Sequence, residues 1–243
     1  MKTVRIATAG KRKIEGTMFL PKSSRQRHAG ALFLHGWRSD RQKHIVPAQL
    51  LAEIGFVSLT VDLRGHGKTG ELEPAVSVRD NLRDVLAAYD LLISRDDVDR
   101  NCIALAGFSY GGFLAILLAA ERKVRWLALR SPALYRDKDL DIPKAEIKRR
   151  GLMAFRRRQL SPADCAGLHA AASVQAHVLL IEAEHDRVVP RQQIRNYLKA
   201  FQRARSVTHR LIRRANHAMS PEHYRVAVGT LVEWLKATGR GCG

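Results

Sequence analysis

Cysteine is scarce in this 243-residue sequence. Only Cys102, Cys165 and Cys242 are present, and no two of them lie close together. An odd number of cysteines without a pairing pattern argues against a disulfide framework and favours a reducing compartment. The wide spacing also excludes a zinc knuckle, whose ligands come in close pairs. We therefore predict a protein without disulfides and without a metal.

Long hydrophobic runs are also scarce. The first thirty residues hold eight cations, one anion and no apolar stretch long enough for the middle of a secretory signal. Residues 101–120 carry no charge and have roughly the length of a membrane span. However, three glycines and a serine at their centre favour a turn over a continuous helix. We predict a strand, a sharp turn and a buried helix in a cytoplasmic protein with no membrane span.

Acidic and aromatic residues are few. The sequence has 42 Lys and Arg against 23 Asp and Glu, a formal net charge of +19, and its three Trp, five Tyr and seven Phe are too few to support a stacking platform for single-stranded nucleic acid. Residues 148–158 and 199–214 each contain six cations and no anion. Such runs are usually a solvated face. Attraction of anionic substrates, or nonspecific contact with nucleic acid or an anionic membrane, stays open as the alternative.

The remaining composition, 46% hydrophobic and 27% charged, is typical of a globular chain. Short apolar runs alternate along the sequence with segments of helical periodicity. This alternation predicts an α/β fold with a mostly parallel sheet and helices on both faces. The first two strands indicate an antiparallel hairpin or edge pair around residues 9–13. The predicted strands are 4–8, 14–20, 31–34, 56–61, 102–106, 124–129, 178–183 and 207–212, and the predicted helices are 45–54, 78–93, 111–120, 191–201 and 221–236.

Residues 135–172 have no strand signal, although strong strands flank them. A structureless connection of that length is rare in a compact domain. Two helices, 143–158 and 162–172, fit this segment. We predict one domain spanning residues 1–243, with a small helical lid inserted at about 135–172.

A Gly-x-Ser-x-Gly motif follows the strand at 102–106: Gly107, Phe108, Ser109, Tyr110 and Gly111, with a further glycine behind. A strand, the motif and a helix form the setting of a nucleophile elbow. The sharp turn lifts the serine hydroxyl clear of the sheet, and glycine is needed where a side chain would collide with neighbouring elements. We predict Ser109 as a nucleophile.

A serine hydroxyl needs a base, and the base needs an acid to orient it. In this arrangement the acid and the histidine follow the serine, in loops after later strands. Asp186 follows the strand at 178–183, and His217 follows the strand at 207–212, directly before the last helix. Glu184 stays open as an alternative acid. Among the other histidines after the serine, His169, His177, His209 and His223 lie in less suitable positions.

The strand at 31–34 ends in His35, Gly36 and Trp37. A backbone turn at this point allows the Trp37 N–H to join the Tyr110 N–H as an oxyanion hole. The alternative is an ordinary turn closed by an aromatic side chain. Residues 62–70 form another glycine-rich loop, but they lack the spacing of a phosphate-binding loop. We predict a structural loop at the edge of the site, and no cofactor.

These motifs resemble the α/β-hydrolase superfamily. The match runs from His35-Gly36 through Asp62-x-Arg64-Gly65-x-Gly67 and the serine motif to Asp186-x-x-Val189-Pro190 and His217. It is similar to small lidded serine esterases and to relatives of the dienelactone-hydrolase and serine-aminopeptidase type. The resemblance implies a triad of Ser109, Asp186 and His217, with Trp37 and Tyr110 as oxyanion donors.

The sequence departs from those relatives at two positions. Phe108 stands where histidine often precedes the nucleophile, and Ala183 stands where glycine often lies three residues before the acid. Neither change removes a catalytic atom. We predict hydrolysis of a carboxylic ester, with an amide or acyl-CoA thioester as the alternative bond. A catalytically silent ligand-binding homologue is the alternative of a different class.

Overall fold

The computed structural model describes residues 1–8, 13–22, 26–239 and 242. Eight strands form one sheet in the order β1-β2-β4-β3-β5-β6-β7-β8. β1 and β2 pair antiparallel, as do β2 and β4, and every later neighbour is parallel, which confirms the predicted sheet. The strands are β1 (Lys2–Ala7), β2 (Lys13–Phe19), β3 (His28–Leu34), β4 (Phe56–Val61), β5 (Val98–Phe108), β6 (Trp126–Arg130), β7 (His177–Ala183) and β8 (Ser206–Ile212).

Helices cover both faces of the sheet. Leu32 and Leu34 of β3 belong to the core under one set of helices, whereas Phe33 belongs to the core on the other face. This alternation explains why the strands are apolar throughout, as parallel strands covered on both sides are. The helices are α1 (Ile45–Glu53), α2 (Val78–Ile93), α3 (Tyr110–Glu121), α4 (Lys144–Arg150), α5 (Met153–Arg156), α6 (Ala166–Ser173), α7 (Arg191–Ala200) and α8 (Pro221–Thr238). α2, α3, α6 and α7 pack on the first face, and α1 and α8 on the second.

The strand order changes direction beside β3. β4 lies on one side of β3, and β5 returns to pair with its other side. Ligands of open α/β sheets bind in the crevice outside the carboxyl ends of the strands at such a switch point. The segment after β3 and the segment after β5 meet there, so the topology brings the His-Gly-Trp turn and the serine motif together.

The segment between β6 and β7 is helical, but its elements differ from the prediction. The expected helix over 143–158 is broken: α4 ends at Arg150 and is capped by Gly151, and α5 is a separate short helix. Gly151 has φ +69°, a left-handed conformation that glycine adopts without cost and that stops a helix. The second expected helix, 162–172, begins only at Ala166.

The cysteine prediction is wrong. Cys102 of β5 and Cys242 form a disulfide, with their Cα atoms 5.9 Å apart and a sequence separation of 140. No local spacing pattern can reveal a pair that the fold brings together over such a distance. Cys165 is a free thiol, and burial raises its pKa to about 11.

The uncharged segment 101–120 comprises the end of β5, the sharp turn and most of α3. Within the part of the chain that the structure describes, no helix combines the length and apolar character that crossing a membrane requires. The predicted N-terminal pairing is present as β1 and β2, whereas residues 9–12 of its turn lie outside the described residues.

Candidate active site

Ser109 occupies a strained turn between β5 and α3. Its backbone has φ +50° and ψ −110°, outside the regions that residues other than glycine usually adopt. The turn is held on both sides, since the Ser109 N–H donates to the carbonyl of Arg130 (2.9 Å) and its carbonyl accepts from the Ala133 N–H (2.8 Å). Backbone strain of this kind persists only where surrounding contacts enforce it.

Glycines make the turn possible. A Cβ built on Gly107 would lie 2.5 Å from the carbonyl oxygen of Gly111, and one built on Gly111 would overlap the carbonyl oxygen of Leu34. Both obstacles are backbone atoms, which cannot rotate away. The two glycines therefore let α3 start directly against the end of β3.

We expect the Gly111→Ala variant to lose about 3 kcal/mol of unfolding free energy, because its methyl group forces α3 away from β3. Gly229→Ala is the matched control. A Cβ on Gly229 meets nothing within 4 Å, and replacing glycine within α8 should stabilise the protein by about 1 kcal/mol. Urea unfolding of both variants measures the difference. Equal stability of the two variants would contradict this account of the elbow.

The structure brings Ser109, His217 and Asp186 together. The Ser109 hydroxyl lies 3.0 Å from Nε2 of His217, and Nδ1 of His217 lies 2.7 Å from Oδ2 of Asp186. A carboxylate can only accept, so Nδ1 carries the proton and Nε2 is free to accept from the serine. Three residues separated by up to 108 positions thus form one continuous hydrogen-bonded chain.

Asp186 is held as an anion. Its Oδ1 accepts from the backbone N–H groups of Val188 (2.9 Å) and Val189 (2.8 Å), while Oδ2 faces His217. Burial alone would raise the pKa of Asp186, but the hydrogen bond and charge of His217 and the two amides outweigh it and hold the pKa below its usual value. The side chain is 4% exposed.

Glu184 does not reach the histidine. Its carboxylate accepts from the Arg214 N–H (2.7 Å) at the surface, and this bond is the main reason that its pKa is lowered. Three of the other candidate histidines are bound elsewhere: His177 contacts Ser206, His209 contacts Glu182, and His223 contacts Ser220.

A neutral histidine supports the turn after β3. Burial lowers the pKa of His35 to about 3, so its ring is uncharged. Nδ1 donates to the carbonyl of Gly36 (2.7 Å), and Nε2 accepts from the Leu63 N–H (3.1 Å). Among the described residues, neither the Trp37 N–H nor the Tyr110 N–H has a protein acceptor. Both predicted oxyanion donors are therefore free to bind a ligand.

The loop at 62–70 is fixed by buried ion pairs. Arg41 bonds to Asp62, and Arg64 lies 2.7 Å from Asp84, which also accepts from the Arg64 N–H (3.0 Å). These contacts hold Leu63 where its N–H meets His35. The loop thus supports the turn after β3 through His35, which fits the structural role that the sequence predicts.

Two cations beside the site, both at least half-buried, were not identified in the sequence analysis. The Arg130 guanidinium stacks 3.5 Å above the Phe108 ring and donates to the carbonyl of His217 (3.3 Å), and burial lowers its pKa to about 10. The Phe108 ring also lies 5.0 Å from the His217 ring. The phenylalanine that replaces the usual histidine therefore packs against the base.

The second buried cation is Lys144 in α4, which lies over the rings of Trp37, Tyr110 and Tyr135. A lysine in a predicted surface helix gives no signal by itself. The available clue is that Lys144 lies three residues before Ile147, so both occupy one helix face, and Ile147 is fully buried.

Solved structures with the same fold include esterases, lactone hydrolases and peptidases. Est1E from Butyrivibrio proteoclasticus, solved with ferulic acid bound, has a TM-score of 0.76 at 19% identity, covering 97% of this chain and 98% of its own. A dienelactone hydrolase from Anabaena variabilis has a TM-score of 0.70 at 21% identity over 97% and 96%. The Pyrococcus horikoshii acylaminoacyl peptidase has a TM-score of 0.73 at 17% identity, covering 97% of this chain but 41% of its own. The fold is the α/β-hydrolase fold, as the resemblance implied.

Sequence comparison gives the family. The model of the prolyl oligopeptidase family matches residues 44–240, most of the chain, and the chain belongs to that family. An uncharacterized protein of Mycobacterium tuberculosis is 30% identical over 178 residues, which is 72% of this chain. The match covers 58% of that relative's length.

Proposed function

We propose that this chain is a serine hydrolase that cleaves a carboxylic ester by acyl transfer. The observation that carries the proposal is the hydrogen-bonded chain from the Ser109 hydroxyl through His217 to Asp186, with distances of 3.0 and 2.7 Å. The triad is recognised by this geometry and not by sequence position. The intact series of hydrogen bonds among the three side chains argues against the alternative of a catalytically silent binding protein.

The mechanism follows from the proton positions. His217 Nε2 accepts the proton of the Ser109 hydroxyl while the serine oxygen attacks the ester carbonyl. Asp186 keeps the imidazole in the tautomer with Nδ1 protonated, and it stabilises the imidazolium that forms. His217 then gives the proton to the departing alcohol. Water, deprotonated by the same histidine, releases the acid and restores Ser109.

The tetrahedral intermediate carries a negative charge on the former carbonyl oxygen. We propose that the unpartnered N–H groups of Trp37 and Tyr110 bind that oxygen. Tyr110 directly follows Ser109, and Trp37 lies in the turn after β3, against which α3 begins. Tyr110 also begins α3, whose N-terminus favours negative charge. Both donors belong to the backbone, so substitution of either side chain leaves its N–H in place.

Amide hydrolysis is the second candidate reaction. The match to the prolyl oligopeptidase family favours it, as does the structural likeness to an acylaminoacyl peptidase. The catalytic groups serve both reactions, because the histidine can protonate an amine or an alcohol. A panel of matched esters and anilides, varied in acyl chain length, distinguishes the two.

We further propose that residues 135–172 act as a lid over the site within one domain. α4 supports this role because its Lys144 contacts the Trp37 ring beside the proposed oxyanion hole. A cytoplasmic location and the lack of a specific nucleic-acid partner stay predictions from the sequence. The Cys102–Cys242 disulfide removes the cysteine argument for a reducing compartment.

A fluorophosphonate probe tests the proposed nucleophile directly. Such a probe phosphonylates a serine only where a base activates it. We expect stoichiometric labelling of the folded protein, with the modification on the peptide that contains Ser109 when it is mapped by mass spectrometry. Heat-unfolded protein serves as the control and should stay unlabelled. Lack of labelling in the folded protein, or labelling of another serine, would contradict the proposed function.

A further inference from the structure

A buried lysine side chain lies beside Trp37, whose backbone N–H is a proposed oxyanion donor. Lys144 is 6% exposed, and its Nζ lies 4.1 Å from the ring centre of Trp37, 4.7 Å from that of Tyr135 and 5.3 Å from that of Tyr110. Aromatic faces attract a cation, but each such contact contributes only about 0.5–2 kcal/mol. They do not replace the water that the ammonium loses on burial.

Lys144 has no anionic partner within the protein. No carboxylate of the described residues lies within 4.0 Å of its Nζ, and the nearby Glu73 is paired with Arg38 (3.1 Å). A buried charge without a counterion is costly, and proteins normally pair it. Among the described residues, the amine therefore lacks a counterion unless an anion from outside the chain supplies one.

A second unpartnered donor lies in the same cluster. The indole Nε1 of Trp37 is buried and has no acceptor among the described residues. Lys144 stands over the face of this indole, so two side-chain donors without an acceptor lie beside one ring. The backbone N–H of the same tryptophan is a proposed oxyanion donor. The two unpartnered side-chain donors therefore adjoin the place where the ester carbonyl would bind.

The two neighbours of Ser109 in sequence pack against different groups. The Phe108 ring contacts His217, whereas the Tyr110 ring belongs to the core under α2 and α3 and contacts Lys144. His217 must protonate the leaving group, so the alcohol departs on its side. The acyl group then extends towards Tyr110 and Lys144.

We propose that Lys144 is a substrate-binding residue that pairs with a carboxylate at the end of the acyl chain, which makes the substrate a half-ester of a dicarboxylic acid. This assignment rests on the proposed serine hydrolase function and deepens it. The substrate's carboxylate would supply the counterion that Lys144 lacks in the protein. The formal charge of +19 fits an anionic substrate, because it attracts one over a distance.

The surroundings of Lys144 make this binding sensitive to pH. Burial, and next the charge of Arg156, lower the pKa of Lys144 to about 7. The free enzyme therefore loses this charge as pH rises through about 7, and carboxylate binding above that pH requires proton uptake. The affinity for an anionic substrate should fall over this range. The charged and titratable groups facing the amine are Arg156, Glu73, Lys148, Arg38, His66, Tyr110 and Tyr135.

The test compares two series of 4-nitrophenyl esters with the Lys144→Met variant. One series contains the half-esters of succinic, glutaric, adipic and pimelic acids, and the other contains the neutral monocarboxylic esters of equal chain length. We expect wild-type enzyme at pH 6 to prefer the half-ester at one chain length. Lys144→Met should lower kcat/KM for that half-ester by about 10- to 100-fold and leave the neutral ester within about twofold.

Two further variants separate recognition from structure. Lys138→Met makes the same change at an exposed lysine within the proposed lid and should leave the rates on both esters unchanged. Lys144→Arg keeps the charge and should retain the preference for the half-ester above pH 8, where wild-type enzyme loses it. A wild-type enzyme without half-ester preference at any chain length would overturn the proposal. An equal loss on both series in Lys144→Met would overturn it as well.

Failure of the proposed function gives a different result. Without an active Ser109, the enzyme hydrolyses neither series and takes no fluorophosphonate. Binding of the free dicarboxylates, measured by isothermal titration calorimetry, still tests Lys144 because it requires no turnover. Binding that weakens at least tenfold in Lys144→Met supports the anion site, and equal binding overturns it.

Discussion

The Ser109→Ala variant is expected to lose about 10⁶-fold in kcat on any ester that the wild-type enzyme hydrolyses. Removal of the hydroxyl leaves His217 with no nucleophile to activate, so only the oxyanion donors and the binding site act on the substrate. Alanine adopts the same strained backbone angles as serine, and the turn keeps its hydrogen bonds to Arg130 and Ala133. The fold should therefore be retained, which circular dichroism and thermal unfolding can verify.

The matched control for this variant is Ser94→Ala. Ser94 follows the last residue of α2, at the edge of the sheet away from the strand ends that carry the site, and its hydroxyl donates only to the Leu91 carbonyl (2.9 Å). It should keep wild-type kcat. Purification of both variants by one protocol limits the contribution of contaminating esterases. More than about one per cent residual activity in Ser109→Ala would rule out the proposed acyl-enzyme mechanism.

The Asp186→Asn variant is expected to lose about 10⁴-fold in kcat. The backbone N–H groups of Val188 and Val189 favour an oxygen at the Oδ1 position, so the new amide nitrogen faces His217. The amide N–H then donates to Nδ1, which moves the imidazole proton to Nε2. The histidine can no longer accept the serine proton, although every heavy atom stays in place.

Glu184→Gln provides the comparison. Glu184 is the other acid that the sequence spacing allows, and its backbone donor among the described residues, the Arg214 N–H, can still bind the amide oxygen of glutamine. We expect kcat close to wild type. A rate profile between pH 6 and 9 should show the Asp186→Asn loss at every pH. If Glu184→Gln shows the larger loss, the acid has been assigned to the wrong residue.

The sequence reveals most of the sheet and the positions that meet in the site. Parallel strands end at one edge, so a residue directly after β5, β7 or β8 must lie near the others. For this reason, the sequence alone predicts that Ser109, Asp186 and His217 lie close together. Asp186 and Glu184 lie only two positions apart in sequence. Only the conformation of the turn, in which Val188 and Val189 direct their N–H groups at Asp186, distinguishes the two acids.

Other features depend on contacts that no local pattern contains. Lys144 is a charged residue in a short helix, and beyond its helical spacing to Ile147 its burial is evident only from its packing against Trp37 and Tyr135. The break at Gly151 depends on a positive φ, whereas glycine inside a helical pattern is often tolerated. Arg130 ends a buried strand, and its stacking on Phe108 requires that the strand order be known.

The disulfide has a consequence for the covalent structure of the chain. Cys102 precedes Ser109, and Cys242 follows His217, so the bond closes a macrocycle that contains all three members of the proposed triad. A single backbone cleavage anywhere between the two cysteines leaves both fragments tethered. Nucleophile, base and acid therefore stay on one linked molecule after such a nick, and the two fragments separate only when a reductant opens the ring.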